Sequence, residues 1–159
     1  MKLTKKHLKR LIKEVYQQHA FIDSLRDNFS VEDVTPAEEA PYRGYYKITK
    51  QFRICKVILF FTQYDDGHIY ISDLSTVDVF GRPNENCFRK GYAKHVLQDF
   101  VSLADQFDID MSLTAASLDK ERFPNPELIK FYEKHGFGGG NPYSDWVEMI
   151  RDRKSERAI

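Results

Sequence analysis

Between residues 43 and 80 the chain runs through three strand-like stretches with no helical period between them. They cover residues 43–49, 52–62 and 68–80, and the middle one is rich in Ile, Val and Phe. Asp66-Gly67 divides the second from the third, the pairing expected at a tight hairpin turn. Consecutive strands joined this closely pair antiparallel, so an antiparallel sheet is the first constraint on the fold. Past this region the period changes. Ala93, Val96, Leu97, Phe100, Val101, Ala104 and Phe107 keep helical spacing, and Met111, Leu113 and Ala115 alternate as in a strand. Asn125 and Pro126 open another helix that Gly136 closes, and residues 145–150 read as a last strand. Ahead of the sheet, Leu8, Leu11, Ile12, Val15, Ile22 and Leu25 describe a helix over about 4–27, with Thr4 as its N-cap. Residues 28–41 read as a loop with a short helix after Pro36. The order predicts an α/β (α+β) fold: a mixed sheet with helices on its faces.

A length of 159 residues suits one domain spanning 1–159, with a polar tail over about 151–159. Lys+Arg and Asp+Glu balance at 24 each, which gives no overall bias toward nucleic acid or membrane. The balance hides an asymmetry. Residues 1–19 hold six Lys/Arg and one Glu, net +5, and residues 20–40 hold six Asp/Glu and one Arg, net −5. The pattern fits a solvated helix face followed by an acidic loop, with a basic docking arm as the alternative. Charges at Lys9, Arg10, Lys13 and Glu14 interrupt any signal-peptide core. Cys55 and Cys87 lack CxxC spacing and no His clusters near them, so no metal site is expected. They read as two lone thiols in a reduced, cytoplasmic protein, with Cys87 incidental to any chemistry.

The stretch CFRKGYAKHVL, residues 87–97, joins a strand and loop to the start of an amphipathic helix. A helix start offers unpaired N–H groups and the positive end of its dipole. Gly91 and the small Ala93 allow close approach of an anion, and Arg89 and Lys90 add charge. This outlines a pyrophosphate cradle, although it is neither a Walker A loop nor a dinucleotide fingerprint.

Phe88-Arg89-Lys90-Gly91-Tyr92-Ala93 resembles the (Gln/Arg)-x-x-Gly-x-(Gly/Ala) motif of the GNAT N-acetyltransferase superfamily. Asn125 through Phe137 is similar to that superfamily's second cofactor motif, Asn-x(6)-Tyr-x(3)-Gly-Phe, with every marked position filled. The resemblance covers roughly residues 43–150. It implies a splayed, mostly antiparallel sheet, open between the strand ending at Phe80 and the strand starting at Met111. Acetyl-CoA, as co-substrate, would lie in that opening. The pantetheine arm would pair with the backbone of Val77, Asp78 and Val79. The pyrophosphate would meet the N–H groups of Arg89, Lys90, Gly91, Tyr92 and Ala93, and Asn125 would reach the cofactor from the next helix. Tyr132 would protonate the leaving thiolate; its other reading is a core aromatic. The chain departs from the pattern at Phe88, where Gln or Arg is usual, and in its longer 81–88 loop.

A base is also needed. Strict alternation along HIYISDLSTVDVF places Ile69, Ile71, Asp73, Ser75, Val77 and Val79 on one face, and Asp78 on the other as a solvated carboxylate. A carboxylate among apolar neighbours has a raised pKa suited to general-base work, so Asp73 is the candidate; its other reading is a structural carboxylate at a bulge. His95 reads as a partly exposed helix residue, and His135 as a side chain at the negative helix end. The resemblance implies that Tyr143 and Trp146 border the acceptor side; their other reading is as caps of the last strand. The activity implied is direct acetyl transfer to a primary amine, by a monomer or homodimer. The amine belongs to a small molecule or a protein, less readily to a nucleic acid. A non-catalytic interaction or regulatory protein on the same scaffold is the alternative.

Overall fold

The computed structural model describes residues 4–115, 125–139 and 147–157. Helix α1 (Lys5–Leu25) starts at Thr4, whose Oγ1 accepts the His7 N–H at 3.2 Å. Strands β1 (Ser30–Asp33), β2 (Arg43–Phe52), β3 (Cys55–Tyr64) and β4 (Ile69–Asp78) follow, then a short 3₁₀ turn at Glu85–Cys87. Helix α2 (Tyr92–Gln106), β5 (Met111–Ala115), α3 (Asn125–Glu133), β6 (Val147–Arg151) and α4 (Lys154–Arg157) complete the order.

The six strands form one open sheet in the order β1-β2-β3-β4-β5-β6. Every neighbouring pair is antiparallel except β4 and β5, which run parallel. The mixed, mostly antiparallel sheet with flanking helices is the architecture expected from the order of elements. Its details differ in four places. The short edge strand β1 lies where a loop was expected. β2 is longer than expected, β3 begins three residues later than expected, and they meet at a two-residue turn, Arg53-Ile54, flanked by the pair Phe52 and Cys55. Arg53 takes the left-handed conformation (φ 56°) there, a role more often given to Gly or Asn, so composition carried no turn signal. Arg151 belongs to β6 and is buried, where a polar tail was expected to begin.

The fourth difference bears on the site. Phe60 pairs with Asp73 but Phe61 with Ile71, so Ser72 is an extra residue in β4, a β-bulge. Opposed residues of an antiparallel pair share a face. Cys55, Val57, Leu59 and Phe61 are buried on the core face of β3, and opposite them stand Asp78, Thr76, Leu74 and Ile71. Asp73, Ser75 and Val77 therefore lie on the face opposite to Ile69 and Ile71. The single alternating stripe expected from the sequence is broken by the bulge.

Helices α1 and α2 cover the core face. Phe21 of α1 meets Phe61 of the sheet, Phe100 of α2 and Phe107 edge-on, at 6.4, 5.7 and 6.0 Å between ring centres. Each such pair adds about 0.5–1.5 kcal/mol to the burial of its rings. On the same face, Arg151 closes the far side. It donates two hydrogen bonds to the Asp105 carboxylate (2.6 and 2.9 Å) and a third to the His135 carbonyl (2.8 Å), tying α2, β6 and the end of α3 together.

Candidate active site

Parallel strands β4 and β5 pair only through Ile69, Tyr70 and Ile71 against Met111, Ser112 and Leu113. Side chains reinforce that closed end: His68 Nε2 lies 2.7 Å from Ser112 Oγ, and the Tyr70 hydroxyl donates to Thr114 Oγ1 at 3.1 Å. β4 continues to Asp78 beside β3, and among the described residues no strand pairs with its other edge beyond Ile71. The sheet opens there, between β4 and β5, as the sequence motifs implied. The bulge at Ser72 sits where the opening begins.

The backbone edge inside the opening is offset from the expected one. In an antiparallel ladder alternate residues direct their N–H and C=O to opposite edges. The Val79 N–H donates to Ile54 of the neighbouring hairpin at 2.9 Å, so Val77 points toward β3 as well. Thr76 and Asp78 face the opening, and the Asp78 N–H is taken by the Arg82 carbonyl at 2.8 Å. Of the segment 77–79, then, Val77 and Val79 are turned away and Thr76 is the outward neighbour. Asp78 is not a loosely solvated carboxylate. It accepts the N–H groups of Phe80 and Arg82 at 2.9 and 3.0 Å and shapes the 81–88 loop. Those bonds, that of Arg82 foremost, hold its pKa below the usual range.

The proposed cradle leads into α2. Arg89 and Gly91 both adopt positive φ (57° and 78°), and Gly91 is the N-cap of α2, with no side chain capping it. A Cβ built on Gly91 would meet nothing within 4 Å, so the space before the helix start is open. Arg89, Lys90 and Lys94 are exposed around it, and no acidic residue stands in the first helical turn. Tyr92 and Ala93 are half-buried as the helix begins. This end has the charge and backbone geometry of an anion site.

The cradle is gripped from both sides by one hairpin. Cys87 and Cys55 form a disulfide, with Cα atoms 5.6 Å apart. This corrects the reading of two lone thiols, and it removes the cysteines as support for a reducing compartment. Their 32-residue separation in sequence hid the fact that the 3₁₀ turn lies against the start of β3. On the other side, Tyr92 stacks on Phe52 at 4.5 Å. Phe52 and Cys55 are the pair that closes the β2–β3 turn.

Tyr132 and Asp73 come from different elements, α3 and β4, and influence each other electrostatically. Tyr132 is buried in the last turn of α3, in edge contact with Phe131 and Phe137 at 5.2 and 6.0 Å. Burial pushes its hydroxyl up to about 12, and the nearby Asp73 carboxylate adds to the shift. Asp73 reaches solvent, yet desolvation raises its pKa against the lowering effect of the Leu74 N–H it accepts. Gly136 ends α3 with φ 91°, and a Cβ there would come within 3.0 Å of Arg151 Nε. His135 is buried, not a charged cap: burial first, then Lys94 and Arg151, lower its pKa and keep it neutral. His95 is exposed, as expected, and lies 3.4 Å from Asp99.

Asn125 begins α3, but its side chain, like Tyr143 and Trp146, lies outside the described residues. Asp110, Asp152 and Glu156 cluster closely enough to offer three carboxylate oxygens. They stand near the closed end of β4 and β5, and Arg153 already bonds Asp110 (3.0 Å) and approaches Glu156 (3.6 Å). No helix among the described residues is long and apolar enough to cross a membrane.

No protein-family profile matches the chain, and no curated protein does. Among solved structures it is similar to a Bacillus subtilis acetyltransferase in complex with CoA. The identity is 9%, over 78% of this chain and 98% of that one, with a TM-score of 0.43. A likeness at that level carries no weight for function, which must be judged from the opening in the sheet and the groups around it.

Proposed function

We propose that the chain is an acyl-CoA-dependent N-acyltransferase, moving an acetyl group from acetyl-CoA directly to a primary amine. One observation carries the reading. The pairing of β4 and β5 stops after Ile71 and Leu113, and the opening is bordered by an uncapped helix start, a tyrosine with a raised pKa and a carboxylate with a raised pKa. The diphosphate of the cofactor would take the N–H groups around Gly91, and its pantetheine amides would meet the outward backbone near Thr76.

The chemistry then needs two proton movements. The amine nitrogen attacks the thioester carbonyl, a C–N bond forms, and the C–S bond breaks to release CoA thiolate. The nitrogen gives up its proton to Asp73, and the thiolate accepts a hydrogen bond, and finally a proton, at the Tyr132 hydroxyl. At about 12, Tyr132 is a weaker acid than a thiol of about 8.5, so full proton transfer to the thiolate starts uphill. The Asp73 charge is part of the cause. Once Asp73 takes the amine proton, that charge is neutralised and Tyr132 becomes the better donor. The first transfer eases the second.

Acetyl-CoA should raise the melting temperature, and free thiol should appear when a panel of primary amines is added. Gly91→Glu should abolish the thermal shift, because the left-handed backbone disfavours any side chain and the carboxylate repels phosphate. A parent protein with neither shift nor thiol release, or a folded Gly91→Glu variant with an unchanged shift, refutes the reading.

A further inference from the structure

The two halves of α1 differ in what surrounds them. Phe21, Ile22 and Leu25 are buried against the sheet and α2, while every described side chain from Thr4 to His19 is exposed. The cause lies in how the two helices overlap. Just past α1, the Phe29 ring lies 5.7 Å from Lys50 Nζ, which is 3.5 Å from His95 and 3.7 Å from Asp99 in the first half of α2. Phe21 meets Phe107 at the other end of α2. The first half of α1 thus runs on past that end, and Lys5 stands about 24 Å along the axis from Phe21.

This overhang breaks two local rules. Leu8, Ile12 and Tyr16 are 49%, 61% and 74% exposed. Residues 5–13 hold five Lys/Arg and no Asp/Glu, at the positive end of the helix dipole, where cations are unfavourable. The two features are aligned. At about 100° per residue, Leu8, Ile12 and Tyr16 form one line, and Lys9, Lys13, Lys6 and Arg10 follow round its flank. Those four cations line one shallow surface together with His7. Through residue 22 only Glu14 opposes them. Asp23 is ion-paired with Arg26 at 2.9 Å. It lies about 15 Å along the axis from Lys13, past the screening length of about 8 Å at physiological salt. A nucleic acid would engage the cations and leave the apolar line in water. A neutral apolar partner would do the reverse. An anionic lipid interface satisfies both, the apolar line sinking below the headgroups while the long basic side chains stay among them.

We propose that the first half of α1 lies in the plane of an anionic lipid bilayer. Leu8, Ile12 and Tyr16 sit at the boundary of headgroups and acyl chains, and the basic flank meets the lipid phosphates. The helix rests on the bilayer and does not span it, because it is not long and apolar enough to cross. Gly91, at the opposite end of α2, stays clear of the surface.

Flotation with phosphatidylcholine vesicles, with and without phosphatidylserine, tests this directly. The parent is expected to float with the phosphatidylserine vesicles, to stay behind with phosphatidylcholine alone, and to be released as salt is raised. Lys9→Gln with Lys13→Gln should weaken binding about twentyfold, since each cation near an anionic surface is worth about a factor of five. Ile12→Gln with Tyr16→Gln keeps every charge and should weaken it about tenfold or more. All four positions are exposed, so the fold should survive, as circular dichroism would verify. A parent that ignores phosphatidylserine vesicles at low salt overturns the proposal. So does binding indifferent to Ile12 and Tyr16, which marks a purely ionic contact, or tighter binding to an RNA or DNA duplex than to the vesicles.

Discussion

The two ends of β4 are built from opposite materials. At its start, Ile69 and Ile71 are buried, β3 and β5 pair on both sides, and His68 and Tyr70 add side-chain bonds to β5. Past the bulge the strand keeps only β3, and Asp73, Ser75 and Thr76 take the places of aliphatic residues. One inserted residue separates the two regimes. The lesson is that a gap in a sheet needs both a break in pairing and side chains that tolerate it. Apolar residues past Ser72 would favour closure onto β5, while polar ones are stable facing a solvated cleft.

Removing supports from each end should break the contrast in measurable ways. The largest effect is expected at the open end, from the disulfide. Cys55→Ala with Cys87→Ala frees a 32-residue loop, and chain-entropy reasoning puts the loss at about 3–4 kcal/mol. Thermal unfolding would measure it, and acetyl-CoA affinity should fall as well because the cradle is loosened. A comparable melting temperature with and without reductant would mean that the hairpin grips the cradle without the bond. Next comes the sealed side. Arg151→Met leaves Asp105 and the His135 carbonyl without the guanidinium, a loss of about 3 kcal/mol and about 6–12 °C in Tm. Here the cofactor shift should persist in the folded fraction, since the change lies away from the cradle.

Tyr132→Phe sharpens the comparison at the level of chemistry. The ring and its contacts with Phe131 and Phe137 remain, and only the donor is lost. A fall in kcat of roughly ten- to a hundredfold, with little change in KM for acetyl-CoA, is expected. Turnover equal to the parent's would leave the hydroxyl with no chemical part. The smallest effect concerns Asp73 and pH. Its pKa is raised in the folded state, so the folded protein holds this proton more tightly than the unfolded chain does. Its contribution to stability is present below the unfolded carboxyl value and is lost as pH rises through the folded one. Asp73→Asn should remove that decline, so its melting temperature should gain on the parent's across weakly acidic pH. The same variant should turn over more slowly near neutrality and lose the matching rise of rate with pH.

How much of this was legible in the sequence depended on whether the signal was local. Thr4, Asp66-Gly67, Gly91 and Gly136 announce their turns and caps because the backbone there needs specific residue types, and the structure uses all four. Asp73 stands out as a carboxylate interrupting an apolar stripe, but the bulge puts it on the face opposite to Ile69 and Ile71. The bulge at Ser72 escaped because an inserted residue leaves hydrophobicity almost unchanged while it reverses every face after it. The Arg53-Ile54 turn escaped because Arg is rarely asked to adopt positive φ. The Cys55–Cys87 bond and the Arg151–Asp105 pair join residues far apart in sequence. A trace of the second was present all the same: Arg151 continues the alternation of Val147 and Met149 on the buried face of β6.

The grip of one hairpin on both flanks of the cradle has a consequence for how such a chain can vary. From Cys87 through Tyr92, across to Phe52, around Arg53-Ile54 to Cys55 and back, contacts close a ring of fixed circumference. Residues inside the ring are free to exchange side chains, since Arg89, Lys90 and Gly91 are all exposed. They are not free to gain or lose a residue, because one more peptide would pull either the disulfide or the stacked rings apart. The 79–86 stretch lies outside the ring; hydrogen bonds to Ile54 and Asp78 hold Val79, Phe80 and Arg82, so the freedom in length falls to residues 83–86. Length variation among relatives of this chain should therefore collect before Cys87 and stop there, so that the site keeps its dimensions while the loop beside it is rewritten.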